Sequence, residues 1–151
     1  MVVADASVLI ALAKIGRLDL LRQVFRMVLI GPTVRTEVVD KGKEISAPEV
    51  GHIQRAVGDR WLRVARLTAA ENGLVQRLMD TTTLDIGEVE AISIARSRRL
   101  LLIVDDKEAR SVAEVMGLEY IGTAAVLLQG FLSGKMTLDE SERVLRSLAS
   151  V

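Results

Sequence analysis

Seven carboxylates stand at four places in this chain where an acid can do chemistry: Asp5, Glu37, the Asp85/Glu88/Glu90 group, and the adjacent pair Asp105 and Asp106. Each follows an apolar run or falls early in a segment with helical spacing. If the runs are parallel strands, their ends and the following helix N-termini share one edge, and acids far apart in sequence meet there. Unpaired, they would repel and raise one another's pKa. A hard divalent cation, Mg²⁺ or Mn²⁺, removes that conflict and takes oxygen ligands. Such an ion can activate water and stabilise the charge of a phosphodiester displacement. Each acid also has a structural use. Asp5 can cap the helix that follows it. Glu37 can be a solvated helix residue, Asp85 and Glu88 suit a helix N-terminus, and one of the Asp105/Asp106 pair can cap the next helix. It is the joint pattern that points to a site.

Other chemistries lack their residues. There is no cysteine, so no thiolate nucleophile and no cysteine-held metal, and the single histidine, His52, leaves no multi-histidine site and no Ser-His-Asp triad. Gly-x-Gly-x-x-Gly and Gly-x-x-x-x-Gly-Lys-Ser/Thr are both absent, so dinucleotide and P-loop nucleotide binding have no support. A receiver domain would need an acid pair after the first strand, and a haloacid-dehalogenase-type phosphatase would need Asp-x-Asp there. Asp5-Ala6-Ser7 supplies neither.

Formal net charge is zero, but residues 1–66 carry 11 Lys/Arg against 7 Asp/Glu and residues 67–151 carry 9 against 13. A basic face opposite an acidic site fits that imbalance, whereas wrapping nucleic acid by total charge does not. Arg60, Arg63, Arg66 and the Arg96–Arg99 cluster are the candidates for contact with a nucleic-acid backbone. No apolar run reaches the roughly 18–20 residues that span a membrane, and Met1-Val-Val-Ala-Asp5 lacks a basic leader. The expectation is a cytoplasmic protein with no membrane partner.

Positioning these acids requires an alternation of strands and helices. Val2–Ala4, Met27–Ile30, Leu100–Val104 and Tyr120–Ile121 are short apolar runs without alternation, which suits strands buried on both faces. Trp61–Arg66 alternates apolar and basic residues and reads as an edge strand. Helical spacing covers Ser7–Lys14, Arg17–Arg26 with Leu18, Leu21, Val24 and Phe25 on one face, Thr33–Asp40 behind Pro32, and Pro48–Gly58. A break is expected at Lys41-Gly-Lys. Further helices follow over Thr68–Met79, Glu88–Ala95, Lys107–Met116 and Ala124–Leu132. Thr137-Leu-Asp-Glu140 is a capping box for a last helix over 137–150. The sum is an α/β chain: a single domain over residues 1–151, an α/β/α sandwich with a central parallel sheet of four to five strands.

Four blocks of the chain together resemble the PIN-domain family of metal-dependent ribonucleases. They are Val-Val-Ala-Asp5-Ala-Ser7, Pro32-Thr-Val-Arg-Thr-Glu37, Leu84-Asp-Ile-Gly-Glu88-Val-Glu-Ala-Ile, and Leu-Leu-Ile-Val-Asp105-Asp106-Lys-Glu-Ala-Arg110 with Ile121-Gly-Thr123 beyond it. The resemblance spans residues 1 to about 130. It implies a Mg²⁺- or Mn²⁺-dependent endoribonuclease, similar to toxin nucleases of the VapC kind or their stand-alone relatives. By position, Asp5, Glu37, Glu88 and Asp106 would be the catalytic acids. The metal would rest on Asp5, Glu88 and Asp106, with Asp105 the alternative to Asp106 and Asp85 or Glu90 the alternatives to Glu88. Ser7 and Thr123 would place hydroxyls near metal or phosphate. Arg110 would pair with an acid, contact RNA, or bridge to Glu114 at helical spacing. The resemblance also implies RNA as substrate, a homodimer and, for a toxin, an antitoxin protein as partner. A PIN-like module that binds RNA or protein without cutting is the alternative.

Overall fold

The three residues Val2–Ala4 form the central strand of the sheet, β1, and everything that matters for the site is laid out around it. In the computed structural model, which describes residues 1–44 and 47–149, β1 is flanked by β2 (Val28–Ile30) and β4 (Leu101–Ile103). The edges are β3 (Leu62–Val64) beside β2 and β5 (Tyr120–Ile121) beside β4, giving the all-parallel order β3-β2-β1-β4-β5. The chain builds outward from β1 to β2 and β3, then returns to the other side of β1 for β4 and β5. The strand order therefore reverses between β1 and β4. In open α/β sheets that reversal opens a crevice at the carboxyl ends of the strands.

Both faces of the sheet are covered. Side chains alternate across a strand, and the core divides accordingly. Val2, Ala4, Val28, Ile30 and Ile103 pack into one apolar layer with Leu9, Leu12, Leu21 and Ile53. Val3, Leu29, Leu102 and Val104 pack into the opposite layer with Val89, Ile92 and Ala109. This double burial is why the strands read as continuous apolar runs. The first layer holds α1 (Ala6–Lys14), α2 (Asp19–Phe25), α3 (Pro32–Arg35), α5 (Val50–Gly58), α9 (Thr123–Leu132) and α10 (Leu138–Ala149), with α4 (Gly42–Glu44) between α3 and α5 along the chain. The second holds α6 (Ala69–Thr81), α7 (Ile86–Arg98) and α8 (Lys107–Val115). None of these helices is long and apolar enough to cross a membrane.

The expected element order is observed, with local differences. The helix expected over Thr33–Asp40 is α-helical only to Arg35 and then continues as a π-helical segment, Thr36–Lys41. Val34, Val38 and Val39 are all buried along this stretch. The break expected at Lys41-Gly-Lys is absent, because helix continues through Gly42 as α4. Gly42 serves close packing: a Cβ there would lie 2.5 Å from Val50 Cγ2. Thr137 does cap α10, accepting from Glu140 N at 3.1 Å, while the Glu140 carboxylate turns to Arg17. The end of the expected 137–150 helix, residue 150, lies outside the described residues. His52 is exposed on α5.

Candidate functional site

Asp5 leaves β1 at the point where the strand order reverses. Its backbone N–H donates to Ile103 O of β4 at 3.3 Å, which ties the ends of the two strands together. The side chain is the N-cap of α1 and accepts from Val8 N at 3.1 Å and from the Ser7 hydroxyl at 3.1 Å. Only 4% of Asp5 is exposed. Burial pushes its carboxyl up to about 6 against the pull of the Val8 and Ser7 hydrogen bonds, and the charges of Asp105 and Asp85 push the same way.

The neighbouring wall comes from α7. Asp85 is its N-cap and exchanges a capping box with Glu88: Glu88 N donates to Asp85 Oδ1 at 2.8 Å, and Asp85 N donates to Glu88 Oε2 at 3.0 Å. Glu88 is also raised, to about 7, by burial first and then by the charges of Asp85, Asp106 and Asp5. Glu37 reaches the same pocket from the π-helical segment. Asp5, Ser7, Val34, Glu37, Asp85, Gly87 and Glu88 line a small cavity of about 90 Å³. Sequence reasoning did not single out Gly87 or Val34. Gly87 is the second residue of α7, and a Cβ there would stand 3.4 Å from Asp85 Oδ1 and 3.8 Å from Glu37 Oε2. A glycine inside an acid-rich capping box was the available signal.

Asp105 and Asp106 divide two tasks. Asp106 caps α8, taking Ala109 N on Oδ2 at 2.8 Å, and is the charge that reaches Glu88. Asp105 turns toward the start of α9, where Thr123 N donates to Oδ1 at 2.8 Å and the Thr123 hydroxyl to Oδ2 at 2.5 Å. Arg110 closes this arrangement from behind. Its Nε donates to Val104 O at 2.9 Å, its Nη2 lies 3.5 Å from Asp105 Oδ1, and its guanidinium stands 5.9 Å from the Tyr120 ring centre. Arg110 therefore pairs with Asp105, and the Tyr120 hydroxyl, not Arg110, reaches Glu114. Gly122 leaves room for this arrangement, since a Cβ there would displace Arg110 Nη2 and Asp105 Oδ1.

Glu90 is placed differently from the other acids. It is buried, and it accepts from Thr33 N and the Thr33 hydroxyl, both at 2.9 Å. It thereby holds the N-terminus of α3, and Gly31 is small enough to let it in. Thr33 and Thr123 thus play the same part against different acids. Among the described residues, no three carboxylates stand close enough to hold one ion together as they are oriented. What the site offers is a set of oxygen donors at one crevice, two of them resisting ionisation first because they are buried and then because of the neighbouring charges.

Across residues 1–150 the chain matches a family model described as a PIN domain. It belongs to the PIN-domain family. No curated protein matches the chain. The five-stranded parallel sheet between two helical layers is consistent with that membership. The PIN domain fits interaction with nucleic acid.

Proposed function

We propose that this PIN domain is a metal-dependent endoribonuclease that hydrolyses RNA phosphodiester bonds at the crevice between β1 and β4. The observation that carries the reading is the pair Asp5 and Glu88. Both are held well above the usual carboxylate range, at about 6 and about 7, by burial first and then by the acids at the ends of β1 and β4 and the start of α7. Such a cluster is stabilised by a cation, and an all-oxygen donor set without cysteine or histidine suits Mg²⁺ or Mn²⁺. The residues fit a metal by donor chemistry, and their side chains must turn inward to share it. Asp5, Glu88 and Asp106 would hold it. Asp106 takes one backbone N–H on Oδ2, whereas both oxygens of Asp105 are engaged by Thr123. That difference favours Asp106 as the ligand and Asp105 as the acid that seats α9. A bound divalent ion supplies Lewis-acid polarisation of water and phosphate.

The chain's own residues do the remaining work. Ser7 orients the Asp5 carboxylate, and Arg110 and Thr123 orient Asp105. Glu37, exposed at the pocket mouth, is the acid placed to accept a proton from an attacking water. Asp85 holds Glu88 through the capping box. The same reading extends to a toxin-type nuclease restrained by an antitoxin protein, and to a homodimer. Exposed Leu128 and Leu132 on α9 and Leu138 and Leu145 on α10 support a protein interface.

The test uses purified protein and single-stranded RNA. Cleavage is expected with Mg²⁺ or Mn²⁺ and not in EDTA, and Asp5→Asn is expected to abolish it with the fold intact. Mn²⁺ should also raise the melting temperature of the wild type and not of the variant. RNA bound but left uncut with both ions would favour the binding-module reading instead. Growth arrest on expression, relieved by Asp5→Asn, is the separate check on a toxin role.

A further inference from the structure

Among the described residues, every non-glycine residue with positive φ is an arginine: Arg26 at 66°, Arg60 at 65° and Arg99 at 55°. Glycine takes this backbone region at Gly16, Gly117 and Gly134, as expected where a side chain is disfavoured. Arg26 is the centre of a tight turn in which Met27 N donates to Phe25 O at 2.7 Å, a strained geometry for an L-residue. Strain of this kind persists where the side chain has a use. A helix C-terminus does favour a cation, but one in the last turn meets that need and leaves the left-handed position to glycine.

The three positions are also aligned. Arg26, Arg60 and Arg99 each stand two residues before the first residue of β2, β3 and β4, namely Val28, Leu62 and Leu101. Those three are in one register, because Val28 pairs with Leu62 and Val2 pairs with both Val28 and Leu101. The arginines therefore lie at one level along the amino edge of the sheet, opposite the acid pocket. Three strand spacings separate Arg60 from Arg99, about 14 Å. All three are exposed, and among the described residues none makes an ion pair. Two more guanidiniums join them. Arg63 donates to Arg60 O at 3.0 Å, and Arg96 lines an open cleft of about 610 Å³ together with Arg99, Ser97 and Glu119. Asp19, Asp59 and Glu119 lie by this edge, the first two around a cavity shared with Arg22 and Arg55, so cations remain in excess.

We infer that this amino edge is a second nucleic-acid contact, a row of guanidiniums that holds the phosphodiester backbone of single-stranded RNA away from the cleavage site. The choice of RNA rests on the function proposed above. Phosphate contacts of this kind position a strand without reading its sequence.

The test measures binding of the full chain to a fluorescent oligouridylate by anisotropy, in EDTA, over a range of salt. In the triple variant Arg26→Gly/Arg60→Gly/Arg99→Gly, glycine suits the backbone at all three positions, so the melting temperature should hold or rise. Affinity at low salt should fall about tenfold, and the slope of log K against log salt should flatten by about 2, some 0.7 for each phosphate that is no longer neutralised. If the glycine variant fails to fold, the corresponding Arg→Asn set, which also tolerates this backbone, reads the same slope. Unchanged affinity and slope overturn the inference, as does a wild type that does not bind. Loss of binding to polyglutamate with RNA binding intact overturns it in favour of an acidic protein partner. Competition by inorganic phosphate at its free concentration, with no dependence on oligonucleotide length, overturns it in favour of an isolated phosphate site. Cleavage of the same RNA is assayed separately with Mn²⁺, so a chain that binds through this edge and does not cut fails the function proposed above, and one that cuts with the salt slope of the triple variant unchanged fails the edge contact alone.

Discussion

Neutralising Asp5 should make the protein more stable, and by an amount that depends on pH. Folding raises this carboxyl from 3.8 to about 6. Between those values the native state keeps a proton that the unfolded chain has released, so stability falls as pH rises through that window and the whole penalty is present above it. A displacement of roughly two units corresponds to about 3 kcal/mol. Asp5→Asn removes that penalty while retaining an oxygen for Val8 N, and Asn caps helices about as well as Asp. The value of about 6 already includes the Val8 and Ser7 hydrogen bonds; what Asn adds is an amide group in place of one buried carboxylate oxygen that accepts from Ser7, which returns about 1 kcal/mol. The net expectation at pH 8 is a gain of about 1–2 kcal/mol, or roughly 3–6 °C in Tm for a chain of this size. Near pH 3.5 both proteins are neutral at this position and the gap should close. Thermal unfolding by circular dichroism at the two pH values measures it. Saturating Mn²⁺ at pH 8 should then narrow the gap by stabilising the wild type alone. Equal melting temperatures at pH 8, or the same difference at both pH values, would refute the claim that a buried, charge-crowded carboxylate sits here.

Gly87→Ala should keep or slightly raise stability, by up to about 1 kcal/mol, because alanine favours helix over glycine and its Cβ would make ordinary contacts with Asp85 and Glu37. The same methyl narrows the 90 Å³ pocket, so metal-dependent RNA cleavage should drop with folding intact, and an activity assay beside a melting curve separates the two effects. Far from the pocket, Arg98 donates from Nε and Nη2 to the buried Glu71 carboxylate, both at 2.9 Å, and holds it down at about 2 against the opposing effect of burial. Arg98→Ala should cost about 2–3 kcal/mol at pH 7, because the buried carboxylate loses two charge-assisted hydrogen bonds from a partly exposed arginine and keeps the one from Thr68 N. Because the Glu71 carboxyl is depressed, this contribution is present above about pH 4.5 and lost as pH falls toward 2, so the wild-type advantage in denaturant unfolding should shrink in acid.

Much of this arrangement is written locally. Apolar runs without alternation announce strands covered on both faces, and β1, β2 and β4 are that. The Trp61–Arg66 alternation announces an edge, and β3 is one. Capping residues such as Thr68 and Asp85 mark helix starts because they satisfy the first free N–H groups within three residues of themselves. Asp5, Glu37, Asp85 and Glu88 were legible as site candidates for the same reason: each follows an element boundary that short-range chemistry sets. Local pattern does not carry the partner of a side chain on another element. Glu90 and Glu88 lie two residues apart on one helix, yet one holds the N-terminus of α3 and the other faces the crevice. Asp105 and Asp106 are adjacent and alike in sequence. Only the approach of the α9 N-terminus commits the first to Thr123, with Arg110 of α8 beside it, and leaves the second to cap α8. The alignment of Arg26, Arg60 and Arg99 has the same origin, since it depends on strand register, and register comes from pairings between segments dozens of residues apart. The chain alone declares which residues begin and end each element. Which charges then face one another depends on how those elements pack, because electrostatic and hydrogen-bond energies depend on distance in space rather than on separation along the sequence.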